Sequence, residues 1–309
     1  MMQHNKFVPP HDLNTPVLFL VFNRPETTKL VFEEIKKAKP PRLYIAADGP
    51  RGDKSGEAEK VKQVREYVMG NVDWDCELRT LFRDENLGCK YAVSSAIDWF
   101  FENEEMGIIL EDDCLPSQSF FWFCEELLER YKDDERIFII SGYNKQSTWN
   151  DEKYDYFFSH FGGIWGWASW RRAWNHYDIN MPDIQEFIDI GHFENLLGNK
   201  VGIARKKDIL NVIREKIDTW DYQWGYARHK NSAMACVPSK SLIENIGFGS
   251  DSTHTNGVNN DGVTKHDISF PLDKNNFIVA DSVYDENSIS NPTIITKFIN
   301  KFKGVFNAK

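Results

Sequence analysis

Five cysteines are spread along the 309 residues (Cys76, Cys89, Cys114, Cys124, Cys236), an odd number with no CxxC pair. Such spacing supports neither a zinc cluster nor a disulfide framework, and it suits a reducing cytosol. Positive charge is also short. Lys and Arg total 37 against 47 Asp and Glu, a net charge of −10, whereas a general nucleic-acid binder needs a basic footprint. No apolar run approaches the ~20 residues of a membrane span. The first twelve residues are polar, carry Pro9-Pro10, and lack the apolar core of a signal peptide. Glycine is missing where a dinucleotide fingerprint would need it: Asn23-Arg24-Pro25 follows the first apolar run in place of GxGxxG, and no Walker A motif occurs. Any nucleotide must therefore be bound by side chains and a metal.

What is present reads as a soluble globular chain, with 41% hydrophobic and 27% charged residues and ample length for a core. The first ~140 residues alternate between strand and helix patterns. Val17–Phe22 is an almost continuous apolar run, as in a strand covered on both faces. A helix follows with Leu30, Val31, Ile35 and Ala38 at helical spacing, and Pro40-Pro41 stops it. Leu43–Ala47, Cys76–Phe82, Ile108–Leu110 and Ile137–Ile140 read as further strands. Glu57–Met69, the segment opened by Asn86-Leu87-Gly88, and Phe120–Tyr131 read as helices. This alternation predicts an α/β fold with a mostly parallel central sheet flanked by helices. Residues 178–218 look helical, and Ala235–Pro238 is a short strand. The expected organisation is a flexible N-terminus over 1–12, one domain over 13–285, and a basic amphipathic helix over 290–309. That tail carries four Lys and no acid from Asn291 onward, with Ile294, Ile295, Phe298, Ile299, Phe302, Val305 and Phe306 at helical spacing. It reads either as a helix lying on an anionic membrane surface or as a last helix docked on the core.

The chemistry concentrates in Glu111-Asp112-Asp113, directly after the run Ile108-Ile109-Leu110. Carboxylates at the end of a buried strand stand where α/β sheets bind ligands. Three adjacent acids call for a counter-charge, and a hard cation such as Mn²⁺ or Mg²⁺, held by one or two carboxylates plus substrate phosphates, supplies it. The plain alternative is a solvated acidic turn. Gly162 to Trp174 is dense in Gly and Trp, which offers either a sugar pocket (Gly163, Trp165, Trp167) or core tryptophans around a turn. Thr219–Gly225 sets Asp221 among Trp220, Tyr222 and Trp224. That places either a general base or a helix cap there. The small-residue stretch Asn245–Gly257 is either a loop that closes over a phosphate or a connector.

In this order the pieces resemble a glycosyltransferase of the GT-A (nucleotide-diphospho-sugar transferase) type: Phe22-Asn23-Arg24, Ala47-Asp48-Gly49, Asn86-Leu87-Gly88 and Ile109–Asp113. Trp220-Asp221, Ala235-Cys236-Val237-Pro238, Gly247-Phe248-Gly249 and Thr253-His254 look like the eukaryotic N-acetylglucosaminyltransferase I family. The resemblance spans roughly Thr15 to Gly257, and the Gly-Trp block resembles bacterial relatives that build surface polysaccharide. It implies a nucleotide-binding half over 15–140 and a less regular acceptor-side half over 141–285. It also implies metal-dependent, inverting transfer of a hexosyl or N-acetylhexosaminyl group from a UDP-sugar to a glycan or lipid-linked glycan, in the cytoplasm or at the inner face of the membrane. By the same resemblance Asp113 is the metal ligand; Glu111 and Asp112 contact ribose and sugar; Arg24 and Asp48 flank the base; Lys90, Thr253 and His254 bind the donor; Trp220 belongs with the sugar pocket; and Asp221 is the base. One departure stands out: the family's Trp-Asp-Asp-Trp is here Trp220-Asp221-Tyr222-Gln223-Trp224, with one acid and one extra residue. A sugar-nucleotide nucleotidyltransferase and a non-enzymatic glycan-binding protein are the rival readings.

Overall fold

The computed structural model describes residues 7–150, 152–247 and 262–290. Its first half alternates as the sequence implies: β1 (Val17–Val21), α1 (Pro25–Ala38), β2 (Arg42–Ala47), α2 (Glu57–Gly70), β3 (Glu77–Phe82), α3 (Gly88–Asn103), β4 (Met106–Glu111), β5 (Cys114–Pro116), α4 (Ser119–Arg130) and β6 (Ile137–Ser141). β1 is buried at all five positions, which is why its sequence shows no polar alternation. Pro25 opens α1, where a missing N–H costs nothing. Val31, Phe32, Ile35 and Ala38 form its buried face, and Lys39, in the left-handed region at φ 52°, ends it ahead of Pro40.

The second half adds β7 (Tyr156–Ser159), β8 (Trp167–Trp170), α5 (Arg171–Trp174), α6 (Ile184–Asp189), α7 (His192–Leu197), α8 (Asn199–Arg214), α9 (Asp221–Lys230), β9 (Met234–Pro238), β10 (Ile243–Asn245) and α10 (Ser282–Ser290). It is less regular, yet it gives three strands to the same sheet. The order is β3-β2-β1-β4-β8-β6-β9-β7. β1 to β4 are mutually parallel; β8 runs against β4 and β6, β6 is parallel to β9, and β7 runs against β9. Six of the eight strands therefore share one direction, and the fold is a mixed α/β sheet flanked by helices. The short pair β5 and β10 forms a second sheet beside the end of β4.

One large apolar cluster spans both halves, and a smaller one gathers Met181, Phe193, Ile209, Val212, Tyr222 and Tyr226 around α6 to α9. At the N-terminal side, Phe7 packs 5.5 Å from Trp122, whose ring N–H donates to His11 O at 2.8 Å. Among the described residues no helix is long and apolar enough to cross a membrane. The expected helix over 290–309 falls outside the described residues beyond position 290.

Candidate active site

The connection from β1 leads to β2 on one side, while β4 lies on the other. This divergence makes a crevice at the carboxyl ends of β1 and β4, the usual ligand position in open α/β sheets. Phe22–Arg24 after β1 and Glu111–Asp113 at the end of β4 meet there. The Phe22 N–H donates to Asp112 Oδ2 at 3.1 Å. Arg24 Nη1 donates to Asp113 Oδ2 at 2.6 Å and lies 3.4 Å from Asp112 Oδ1. Arg24 is thus counter-charge to the acidic triplet. Its guanidinium is drawn to the buried Asp112 and the half-buried Asp113 carboxylates, at the crevice end where the base was expected. Burial works to lower its pKa, but Asp112 and Asp113 more than offset that and hold it above the ordinary range.

One guanidinium does not balance three acids. Burial pushes the Glu111 carboxyl up, and Asp113 and Asp112 add to the effect; burial likewise raises Asp112. Glu111 Oε1 is buried without a hydrogen-bond partner. Such an orphaned oxygen marks a place for a missing donor or cation. The segment after β10 closes this side: the Ile246 N–H donates to Asp113 O at 2.9 Å, and a Cβ on Gly247 would collide with Asp113 Oδ2. Only glycine lets the backbone cross the acid so closely. Among the described residues no set of three or more His, Cys, Asp or Glu forms a metal cage. The donors do fit a cation completed by substrate oxygens, since Asp113, the orphaned Glu111 Oε1 and the surplus of negative charge converge.

Asp48, expected to flank the base, has a structural task in the chain itself. Its carboxylate accepts from the Gly49, Leu87 and Gly88 N–H groups at 3.0 to 3.2 Å and so pins the entry to α3. Burial raises its pKa against these amides. Gly88 opens α3 at φ +76°. Asp218, which the sequence did not single out, then accepts from the Cys89 and Lys90 N–H groups at 2.9 Å each and caps the helix from the far half of the chain. Lys90 lies in this first turn, its Nζ 5.6 Å from the Tyr91 ring.

Asp221 is the first residue of α9, half-buried, and accepts a hydrogen bond from Thr219 Oγ1. Trp220, the residue before it, stacks 5.7 Å from Trp167, which pairs with Ile109 of β4 two residues before Glu111, so Asp221 stands near the end of β4 that carries the triplet. The sugar-pocket expectation divides. Trp167 (0% exposed) and Trp220 (2%) are core residues, stacked at 5.7 Å, so neither ring has a face open to a sugar. Gly163 is an approach point: a Cβ there would come within 2.8 Å of Tyr143 Cδ1. Trp165 remains partly exposed at the same end of the sheet, packed edge-on 4.7 Å from Tyr143. Thr253 and His254 lie outside the described residues. The sequence reading also missed Arg205 and Arg228, two cations beside α9; an arginine inside the apolar run Trp224–His229 was the available signal.

No family model matches the chain, and no curated protein matches it. Among solved structures it is similar to HddC from Yersinia pseudotuberculosis (10% identity, TM-score 0.26, 38% of this chain and 55% of that one). It is similar to apo UDP-glucose pyrophosphorylase (11%, TM-score 0.35, 75% of this chain and 93% of that one). It is also similar to the glycosyltransferase GlyE of Streptococcus pneumoniae TIGR4 (13%, TM-score 0.31, 94% of this chain and 64% of that one). The chain thus spans about half the length of the first of these and under two thirds of the last. TM-scores below 0.5 leave all three as similarities only, and the site stands on its own geometry.

Proposed function

We propose that the chain is a metal-dependent, inverting glycosyltransferase that moves a sugar from a nucleoside-diphosphate donor, a UDP-sugar first, to a hydroxyl of a glycan acceptor. The observation that carries this reading is the Glu111-Asp112-Asp113 cluster at the divergence of β1 and β4, with Glu111 Oε1 buried and unpartnered and Asp221 near the same end of β4. A cluster in surplus of negative charge favours a divalent cation, Mn²⁺ or Mg²⁺, with Asp113 as its ligand and diphosphate oxygens filling the remaining positions. Bound there, the metal would offset charge on the departing diphosphate. Arg24 holds the Asp113 carboxylate in place. Asp221 takes the proton of the acceptor hydroxyl. The hydroxyl oxygen then bonds to the anomeric carbon from the face opposite the leaving group, and the bond from carbon to diphosphate oxygen breaks with its electron pair going to the nucleoside diphosphate. No covalent intermediate is needed, so configuration inverts.

The kinship with N-acetylglucosaminyltransferase I and with bacterial surface-polysaccharide enzymes, donor contacts from Thr253 and His254, and a cytoplasmic location with membrane contact through 291–309 belong to the same proposal. A nucleotidyltransferase has less support. β1 passes into α1 through Phe22-Asn23-Arg24 alone, which leaves no Gly-rich loop to cradle a triphosphate.

Titration calorimetry with UDP tests the reading. Binding is expected with Mn²⁺, and none with chelator or with Asp113→Ala. If Asp113→Ala transferred sugar at near-normal rate in chelator, the metal assignment would be wrong. If folded protein bound no nucleoside diphosphate at all, the transferase reading would fail.

A further inference from the structure

α9 presents a second charged cluster that the donor site does not use. Gly225, one turn after Asp221, has no side chain, and a Cβ there would run into the Arg205 guanidinium. Arg205 arrives from α8, lies 4.8 Å from the centre of the Tyr222 ring, and has a buried Nε without a partner. Arg228, further along α9, is 5% exposed. Its Nε and Nη1 are buried without partners, and its Nη2 reaches Gly162 O only at 3.5 Å. A Cβ on Gly162 would stand 3.2 Å from Arg228 Nη1, so the two glycines leave room for the two guanidinium groups.

This arrangement is unfavourable by itself. A buried cation is normally paired, and a guanidinium presents a fork that fits carboxylate and phosphate. The carboxylates that act on Arg228 are committed elsewhere: Asp221 to Thr219 Oγ1, and Asp285 to Ser159 Oγ and the His160 N–H. Burial, and after it the Arg205 charge, lowers Arg228 to about 9, still protonated at neutral pH. Burial also pushes down the neighbouring His229 and His160 imidazoles, so they add no charge there. Asp221, Gly225 and Arg228 stand at i, i+4 and i+7 of α9 and so share one helix face, with the Arg205 guanidinium set against Gly225.

We infer that Arg205 and Arg228 bind an oxyanion carried by the acceptor, a sugar carboxylate or a phosphate group, and so place an acceptor hydroxyl at Asp221. The inference rests on the proposed transferase reading and gives it an acceptor class, an anionic glycan. The donor diphosphate is assigned to Asp113.

Calorimetry on the full chain tests it, with inorganic phosphate, D-glucuronate and neutral glucose as separate probes, on wild type, Arg228→Met and Arg205→Met. The expected result is that phosphate or glucuronate binds wild type, glucose does not, and affinity for the anion falls at least tenfold in both variants. UDP with Mn²⁺, titrated on the same preparations, should keep its affinity within twofold. Phosphate without glucuronate, or the reverse, names the group. Absence of anion binding to wild type, or binding that the variants leave unchanged, overturns the inference. A parallel loss of UDP in the variants also overturns it, and assigns the pair to the diphosphate. Loss of UDP binding in wild type sinks the donor reading and with it the acceptor role, while the anion titrations still decide whether the pair is a site. Arg228→Met sheds a buried charge and should melt no lower than wild type; should it fail to fold, the half-exposed Arg205 carries the test.

Discussion

Asp221 and Trp220 are adjacent in the chain, but one is half-buried and the other is sealed in the core. Replacing Asp221 with Asn keeps the shape and the Thr219 contact but removes the proton acceptor. Turnover should fall about 10²–10⁴-fold, the usual worth of a general base, with UDP affinity unchanged by calorimetry; a loss of UDP affinity would move Asp221 into the donor pocket. Trp167→Ala should act on stability, because the ring is fully buried against Trp220, Trp174 and Trp224. A cost of about 3–5 kcal/mol in denaturant unfolding is expected for an aromatic truncated in a core. Sequence alone did not separate these cases. A Trp beside Gly suits a sugar platform and a core equally well, and only the sheet register, which pairs Trp167 with Ile109 and Ser141, decides for the core. Asp285 gives a residue-level pH test. Burial raises its carboxyl from 3.8 to about 6, although Ser159 and the His160 N–H oppose the shift. A raised acid contributes stability while protonated and loses it as pH climbs, so between about pH 4 and 6 wild type should weaken relative to Asp285→Asn. The difference is at most about 3 kcal/mol and constant above that window. Melting temperatures of the two proteins across this range check the sign.

At the scale of elements, the first half was legible because β1, β2, β4 and β6 are buried, largely apolar runs, while the partly exposed edge strand β3 lies between two patterned helices. β1, β2, β3, β4 and β6 all fall on runs that the sequence marks. β7 and β8 were missed. Each is four residues long, Tyr156–Ser159 and Trp167–Trp170, and each draws its pairing from strands distant in sequence. β5 read only as the close of the acidic turn, since its partner β10 lies over a hundred residues on. The capping of α3 was equally hidden. The turn Asn86-Leu87-Gly88 is local, but Asp48 and Asp218, which satisfy its first amides, come from either side of the chain. Asp218→Ala leaves the Cys89 and Lys90 N–H groups without that acceptor. It should cost about 1 kcal/mol, as loss of a cap does, and should weaken UDP binding only as far as α3 shifts beside the crevice. A stability loss near zero would mean that solvent replaces the cap.

For the whole molecule, the apolar core crosses both halves, so a ligand held in the crevice should stabilise the chain as one unit. The acidic triplet makes this testable without knowing the acceptor. The folded form gathers three acids about the one Arg24 charge, with the Glu111 carboxyl pushed up to about 8, while an unfolded chain would solvate each acid separately. Metal and nucleotide together therefore bind the native state and not the unfolded one. At a concentration about a hundredfold above its dissociation constant, UDP with Mn²⁺ should add about 2.7 kcal/mol. With an unfolding entropy near 2.1 cal/mol/K per residue, that is a rise of about 4 °C in melting temperature for a chain of this length. Mn²⁺ alone should do much less, because Arg24 already occupies Asp113 and among the described residues no protein cage completes the shell. UDP with chelator should give no rise, and Asp113→Ala should show none under any condition. A full rise from UDP in chelator would mean that the nucleotide binds without a metal. The charge surplus at Glu111 would then be a strain tolerated by the fold instead of a seat for a cation.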